Sequence, residues 1–325
     1  MFTMRFDMRA AHDGTSRAEL YEAAVEMASW AEDRGATLAF VCEHHCTGDG
    51  YLPSPLLLAT ALAARTSTLR IMVTVVVLPL YEPVRLAEDM VVLDIMSRGR
   101  VSYVAGVGYR PEEYEHLGVD YGRRGRIADD KLAVLLKAKT GEAFEHDGRR
   151  IHVTPAPLTP GGPRVAWGGG SAAAARRAGR HGIGFFGQGG DPGLVEVYEA
   201  EAAAHGYEPA FCFMPPPDLP TTVFVADDVD AAWDELGPYM LHDVGGYTGF
   251  GAAVEDMVNV TAAMTVDELR AADRTHRVIS VDDAVAQVRA GIPLVLHPLV
   301  GGLPPDVAWR YLRTVADEVM PRVTP

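Results

Sequence analysis

Cysteine is scarce in this chain: Cys42, Cys46 and Cys212 are the only three among 325 residues. An odd, sparse set offers no disulfide framework and suits a reducing cytoplasm. Positive charge is short as well, with 29 Lys and Arg against 44 Asp and Glu, for a formal net charge of -15. Such an acidic surface repels phosphate backbones and anionic lipid, which argues against nucleic acid and membranes as partners. No run approaches the roughly 20 uninterrupted apolar residues that a membrane helix needs. Even MVTVVVLPL is short and β-branched, which favours a strand. The opening MFTMRFDMRA has no long apolar stretch after its charges, so a secretory signal is not expected. Also missing are internal repeats, low-complexity tracts, a GxxxxGK[ST] phosphate loop and a glycine-rich dinucleotide fingerprint after an early strand.

What is present is an ordinary globular composition, 48% hydrophobic and 22% charged, arranged as an alternation. Short β-branched or aromatic runs read as strands at Phe2 to Met8, Leu38 to Val41, Ile71 to Leu78, Val101 to Ala105, Arg164 to Trp167, Ile183 to Phe186, Thr222 to Val225 and Leu294 to His297. Helix-patterned segments lie between them, among them Arg17 to Arg34, Pro83 to Met96, Arg123 to Lys139 and Ala172 to His181. The almost wholly apolar Ile71–Leu78 run fits a parallel strand buried on both faces. About eight β/α units in order predict a single (β/α)8 TIM barrel over residues 1–325, with insertions near 140–163 and 238–278. A doubly wound open sheet is the competing arrangement. In a barrel the chemistry collects at the C-terminal ends of the strands.

Three such ends carry unusual residues. After the second strand comes Cys42-Glu43-His44-His45-Cys46, where adjacent imidazoles can serve as acid, base or hydrogen-bond donor near neutral pH. A metal on Cys42, His44 and Cys46 is the rival, but no second ligand cluster accompanies them and a structural zinc site usually has four ligands. Packing against the barrel is the plain alternative for either histidine. After a later strand comes Trp167-Gly168-Gly169-Gly170-Ser171, running into the helical AAAARRAGRHG. Three glycines allow a ligand close to the backbone, the helix N-terminus favours an anion, and Ser171 can cap the helix or donate to a phosphate. The third end is Gly106-Val107-Gly108-Tyr109-Arg110, with Arg123, Arg124 and Arg126 further along as candidate anion-facing charges.

Taken together, Glu43-His44-His45, the block VVVLPLYEPVRLAEDMVVLDIMSRGRVSYVAGVGYRPEEYEHLG, VAWGGGSAAAARRAG and LVLHPLVGG resemble the luciferase-like flavin-dependent monooxygenases. The resemblance spans most of the chain. It implies a luciferase-like barrel and an oxidoreductase that uses reduced FMN and oxygen on a small organic substrate. A separate flavin reductase and a homodimer are further implied. His44 matches the family's histidine near the reactive edge of the flavin, flanked by Glu43 and His45 as further catalytic candidates. Thr74 and Val75 match residues lying against the flavin ring, at a position where a non-proline cis peptide often occurs. Gly106, Gly108, Tyr109, Arg110 and Arg124 are expected near the cofactor, and Gly169, Gly170 and Ser171 at its phosphate. Two departures stand out: Val107 replaces the arginine that luciferase sets against the phosphate, and Gly106 replaces its flavin-facing cysteine. Light emission is therefore not expected. A second branch of the family uses the deazaflavin F420 for hydride transfer, and some relatives of luciferase bind flavin without catalysis. The EHH triplet favours the FMN branch.

Overall fold

A computed structural model describes residues 1–11, 14–189, 191–216, 219–249 and 261–323. The strands are β1 (Phe2–Phe6), β2 (Ala36–Val41), β3 (Arg70–Val77), β4 (Val101–Gly106), β5 (Phe144–His146) and β6 (Arg149–Ile151). They continue with β7 (Arg164–Gly169), β8 (Gly184–Gly187), β9 (Cys212–Phe213), β10 (Thr222–Val225), β11 (His276–Ile279) and β12 (Leu294–Leu296). The helices begin with α1 (Arg17–Glu32), α2 (Pro55–Arg65), α3 (Pro83–Ser97), α4 (Pro111–His116) and α5 (Arg124–Ala138). Then follow α6 (Ala172–Arg180), α7 (Gly193–Ala204), α8 (Val229–Gly249), α9 (Val266–Ala272), α10 (Val281–Arg289) and α11 (Pro305–Thr314).

The chain packs as two compact units. One comprises Met1–Pro53, Thr68–Arg70 and Pro217–Pro325, the other Ser54–Ser67 and Ile71–Pro216. In the first, the strands run parallel in the order β11-β10-β12-β1-β2. In the second they run parallel in the order β3-β4-β7-β8-β9, and β5 and β6 form a separate antiparallel hairpin. Parallel neighbours demand helical crossovers, which the chain supplies between strands.

Local chemistry explains the boundaries. Ser16 caps α1 by accepting from the Glu19 N–H at 3.3 Å. Pro83 opens α3, where a missing N–H costs nothing, and Arg98 closes it in the left-handed region ahead of Gly99. β1 is buried on both faces: Phe2, Met4 and Phe6 alternate with Thr3 and Arg5.

Two stretches differ from the sequence reading. The segment 140–163 contains the β5–β6 hairpin and a cis peptide between Thr154 and Pro155. In 238–278, helix α8 continues through Pro238, residues 250–260 lie outside the described residues, and the far end enters β11. That strand, His276-Arg277-Val278-Ile279, alternates buried and half-buried positions with two basic residues among its four. A search for apolar runs passes over it. Ser280, which accepts from the Asp283 N–H at 3.1 Å, then starts α10.

Gly246 on α8 is a packing requirement of the first unit, because a Cβ there would overlap the Arg9 guanidinium. Overpacking of this kind typically costs about 1–3 kcal/mol. Gly246→Ala should lower the urea midpoint by a corresponding amount with an unchanged m-value. A midpoint equal to the parent's would show that Arg9 yields without loss.

Candidate functional site

In the first unit Arg5 on β1 is followed, past the end of the strand, by Asp7 and Arg9, and all three side chains are buried. β1 ends at Phe6 and Met8 takes φ 62, so these three side chains are brought together by their contacts and not by the strand period. From α8, Asp243 meets them. Its Oδ1 accepts from Arg9 at 2.9 Å and lies 3.8 Å from Arg5, while its Oδ2 accepts from His276 Nε2 at 2.9 Å. Arg5 donates to Asp7 at 3.2 Å and to the Tyr247 hydroxyl at 2.6 Å. Arg9 also reaches Asp49 at 2.7 Å, and His297 Nε2 stands 3.3 Å from Asp7 Oδ1. Two guanidiniums thus offset two carboxylates in the interior, which is the condition for burying charge at all. Removing one partner from such a set typically costs about 3–5 kcal/mol.

The electrostatics follow from burial and neighbours. Burial pushes the Asp243 carboxyl up, but Arg5, the His276 hydrogen bond, His297 and Arg9 bring it well below 3.8. Asp7 is likewise pushed up by burial and drawn below 3.8 chiefly by His297. Burial lowers His276 below 6.5 despite Asp243, so its neutral ring donates from Nε2 and its Nδ1 accepts from Thr275. Burial also holds the Tyr51 and Tyr247 phenols well above 10, so both remain protonated. Among the described residues, Asp7, Asp243 and His297 form the cluster with spacing fit for a metal. The guanidiniums of Arg5 and Arg9 already occupy its carboxylates, so a divalent cation would meet fixed positive charge there.

The EHH segment sits against this network in the same unit. His44 is buried and its backbone N–H donates to Leu52 O at 3.1 Å, while Leu52 N–H donates to Asp7 O at 2.8 Å. The His44 ring meets Tyr51 at 4.7 Å and 88°, an edge-to-face contact. Glu43 is buried and its Oε1 pairs with His45 Nε2 at 2.8 Å, so this carboxylate orients the half-buried His45. Cys42 is half-buried and its thiol is pushed up by burial; Cys46 is exposed. Neither belongs to the metal-spaced cluster.

The second unit holds the other expected residues. The peptide between Thr74 and Val75 is cis, at the position the resemblance indicated. Gly106 ends β4, and Gly108 adopts φ +68 with Val77 so close that a side chain would not fit. Tyr121 donates to Tyr109 O at 3.0 Å, which ties down the loop after β4. Arg110 is buried and paired with Glu113 at 3.3 Å, so its charge is already matched. Arg124 is half-buried, with its guanidinium 3.9 Å over the Tyr121 ring, whereas Arg123 and Arg126 are exposed. At the end of β7, Gly169 takes φ +154 with Ala174 only 2.7 Å from a notional Cβ. Gly170 is exposed and a Cβ there meets only Gly189 N, at 3.9 Å. Ser171 is the N-cap of α6, its Oγ accepting from Ala174 N–H at 3.3 Å. The sequence reading missed Arg5, Asp7, Arg9, Tyr51, Asp243, Tyr247 and His276. The signal available for some was the charged alternation Arg5-x-Asp7-x-Arg9, which begins on an apolar strand and continues past its end.

The luciferase-like monooxygenase family model matches residues 3–290. The chain belongs to this family of oxidoreductases. The 4-hydroxyprotoasukamycin monooxygenase of Streptomyces nodosus subsp. asukaensis is 33% identical over 118 residues, 36% of this chain and 32% of that protein. The oxygenase component of the flavin-dependent trigonelline monooxygenase of Acinetobacter baylyi is 27% identical over 149 residues, 45% of this chain and 41% of its own. These alignments span less than half the length of the curated relatives. Among solved structures, the monooxygenase RslO1 of Streptomyces bottropensis superposes with TM-score 0.77 at 19% identity, covering 100% of both chains. The FMN complex of the oxygenating constituent of 3,6-diketocamphane monooxygenase from Pseudomonas putida gives TM-score 0.72 at 19% identity over 99% of this chain and 98% of its own. The F420-dependent tetrahydromethanopterin reductase of Methanopyrus kandleri gives 0.64 at 15% identity over 99% of each chain. The fold is therefore the luciferase-like (β/α)8 barrel with insertions. Among the described residues no helix is long and apolar enough to cross a membrane.

The depressed His276 and carboxylate values give acid sensitivity a definite sign. Above 6.5 the neutral His276 contributes its full stability; as pH falls below 6.5 the unfolded chain binds a proton that the folded chain resists. Stability should therefore decline by up to about 1.4 kcal/mol per pH unit on this limb. A second decline should begin below 3.8, as Asp7 and Asp243 are forced to protonate. Urea midpoints across pH test this, and His276→Gln should flatten the upper limb alone. An identical pH profile in that variant would overturn the assignment.

Proposed function

We propose that the chain is a flavin-dependent monooxygenase that takes reduced FMN and oxygen and oxidises a small organic substrate. A separate reductase in the cytoplasm supplies the reduced flavin, and a second copy of the chain completes a homodimer. The observation that carries the cofactor assignment is the exposed turn Gly169-Gly170-Ser171 at the start of α6. Backbone N–H groups and the helix dipole favour a terminal phosphate there. Ser171 Oγ already accepts from Ala174 N–H, so its own proton remains to be donated to a phosphate oxygen. Arg124 is the arginine that supplies countercharge, since Arg110 is matched by Glu113. Thr74, Val75, Gly106, Gly108 and Tyr109 line the path of the ring. Bound reduced flavin brings the chemistry with oxygen; the protein orients it, excludes water and moves protons, with His44 as the acid–base group and Glu43 and His45 behind it. The relatives named as monooxygenases, one of them an oxygenase component, support this over hydride transfer from F420. A reductase neighbour, the F420-dependent tetrahydromethanopterin reductase, is what favours the F420 reading.

Absorbance and fluorescence titration with FMN, reduced FMN, F420 and riboflavin decides between them. The space beside Gly170 makes Gly170→Val a clean test, because the protein itself tolerates a Cβ there. It should weaken FMN strongly and leave riboflavin, which lacks the phosphate, unaffected. Ser171→Ala should weaken FMN about 10- to 150-fold, the equivalent of one charge-assisted hydrogen bond of roughly 1.5–3 kcal/mol. Equal losses for FMN and riboflavin in Gly170→Val would remove the turn as a phosphate site.

His44→Ala should retain FMN affinity. It should slow the oxygen-dependent step of the bound reduced flavin by about 10²–10⁴-fold, as loss of one proton-transfer group does. Stopped-flow reoxidation measures it; an unchanged time course would leave His44 as a packing residue.

A further inference from the structure

We infer that Tyr51 and Tyr247 are positioning residues for His44, which couple its imidazole to the buried charges of the first unit. This inference rests on the functional reading of His44 given above. The three rings lie together: Tyr51 meets His44 at 4.7 Å, and Tyr247 stands 6.3 Å from both His44 and Tyr51, each at a steep angle. Edge-to-face contacts on two sides restrict rotation of the imidazole plane. The two phenol oxygens are 2.8 Å apart and both are buried. Arg5 has only N–H donors, so at 2.6 Å the Tyr247 oxygen accepts from it. The two hydroxyls share a hydrogen bond, so Arg5, Tyr247 and Tyr51 are linked in sequence. Arg5 is itself held by Asp7 at 3.2 Å, and Arg9 lies 5.6 Å and 5.3 Å from the centres of the Tyr51 and Tyr247 rings. The order of constraint is therefore carboxylates, guanidiniums, Tyr247, Tyr51, His44. Core tyrosines kept for packing alone would not need their oxygens in this chain.

The test uses the full-length protein with ¹⁵N-labelled histidine, so it needs neither flavin nor substrate. His44 is assigned by loss of its signals in His44→Gln, and its ring tautomer and linewidth are read from long-range ¹H–¹⁵N spectra. Tyr247→Phe keeps the ring and removes the hydroxyl link; Tyr51→Phe cuts the same link from the other side. Both should replace the single sharp His44 signal set by a broadened or tautomer-mixed one, with the signals of His205 and His146 unmoved. Tyr51→Leu, which removes the ring contact, should do so more completely. A sharp, unshifted His44 in both Phe variants would overturn the inference, and so would equal disturbance of every histidine. These outcomes are separate from the flavin reading: unchanged reoxidation in His44→Ala would remove the role of His44 and leave its positioning by Tyr51 standing.

Discussion

Charge buried inside the first unit is the constraint on which its site depends. Arg5, Asp7, Arg9 and Asp243 are all under a tenth exposed, and each is tolerable there only because the others are present. The requirement propagates outward. Burial keeps His276 neutral while Asp243 accepts its hydrogen bond, Arg5 anchors Tyr247, Tyr247 meets Tyr51, and Tyr51 packs edge-on against His44. Gly246 has no side chain because Arg9 needs the space. A network of this kind is costly to assemble and stiff once assembled, which suits residues that must hold an orientation.

The second unit solves a different problem with different chemistry. Its glycines divide by role. Gly169 is demanded by its own backbone and by Ala174, and Gly108 by its left-handed φ beside Val77, whereas Gly170 opens onto space. At Gly170, beside a helix N-terminus, that bareness is what the proposed phosphate site uses. The arginines sort in the same way: Arg110 is matched by Glu113, and Arg124 is held over the Tyr121 ring.

Much of this was legible in the amino-acid order, for physical reasons. The strand Ile71 to Val77 shows as an almost wholly apolar run, although Met72, Thr74 and Val75 are half-buried rather than buried on a second face as expected. Helix starts show as Ser, Pro or Glu ahead of a periodic stretch, and Ser171 caps α6 as its position suggested. The EHH triplet stood out because adjacent imidazoles are unusual at a strand end, and the glycine turn because three glycines run into a helix N-terminus. β11 did not, because His276 and Arg277 break its apolar pattern and the strand it pairs with, β10, is distant in sequence. Helix α8 continuing through Pro238 runs against local propensity, and packing overrode it.

By itself, the sequence determined the alternation of strands and helices, the acidic exterior and the two local motifs, because these depend on neighbours a few positions apart. Only the tertiary structure decided that Arg5, Asp7 and Arg9, on and just after the first strand, meet Asp243 and its partner His276 more than 230 residues later. The same holds for Tyr51 and Tyr247, 196 positions apart, meeting oxygen to oxygen beside His44. No local pattern encodes such pairs. They exist because burial makes each charge and hydroxyl seek a partner, and the fold alone decides which partner is within reach.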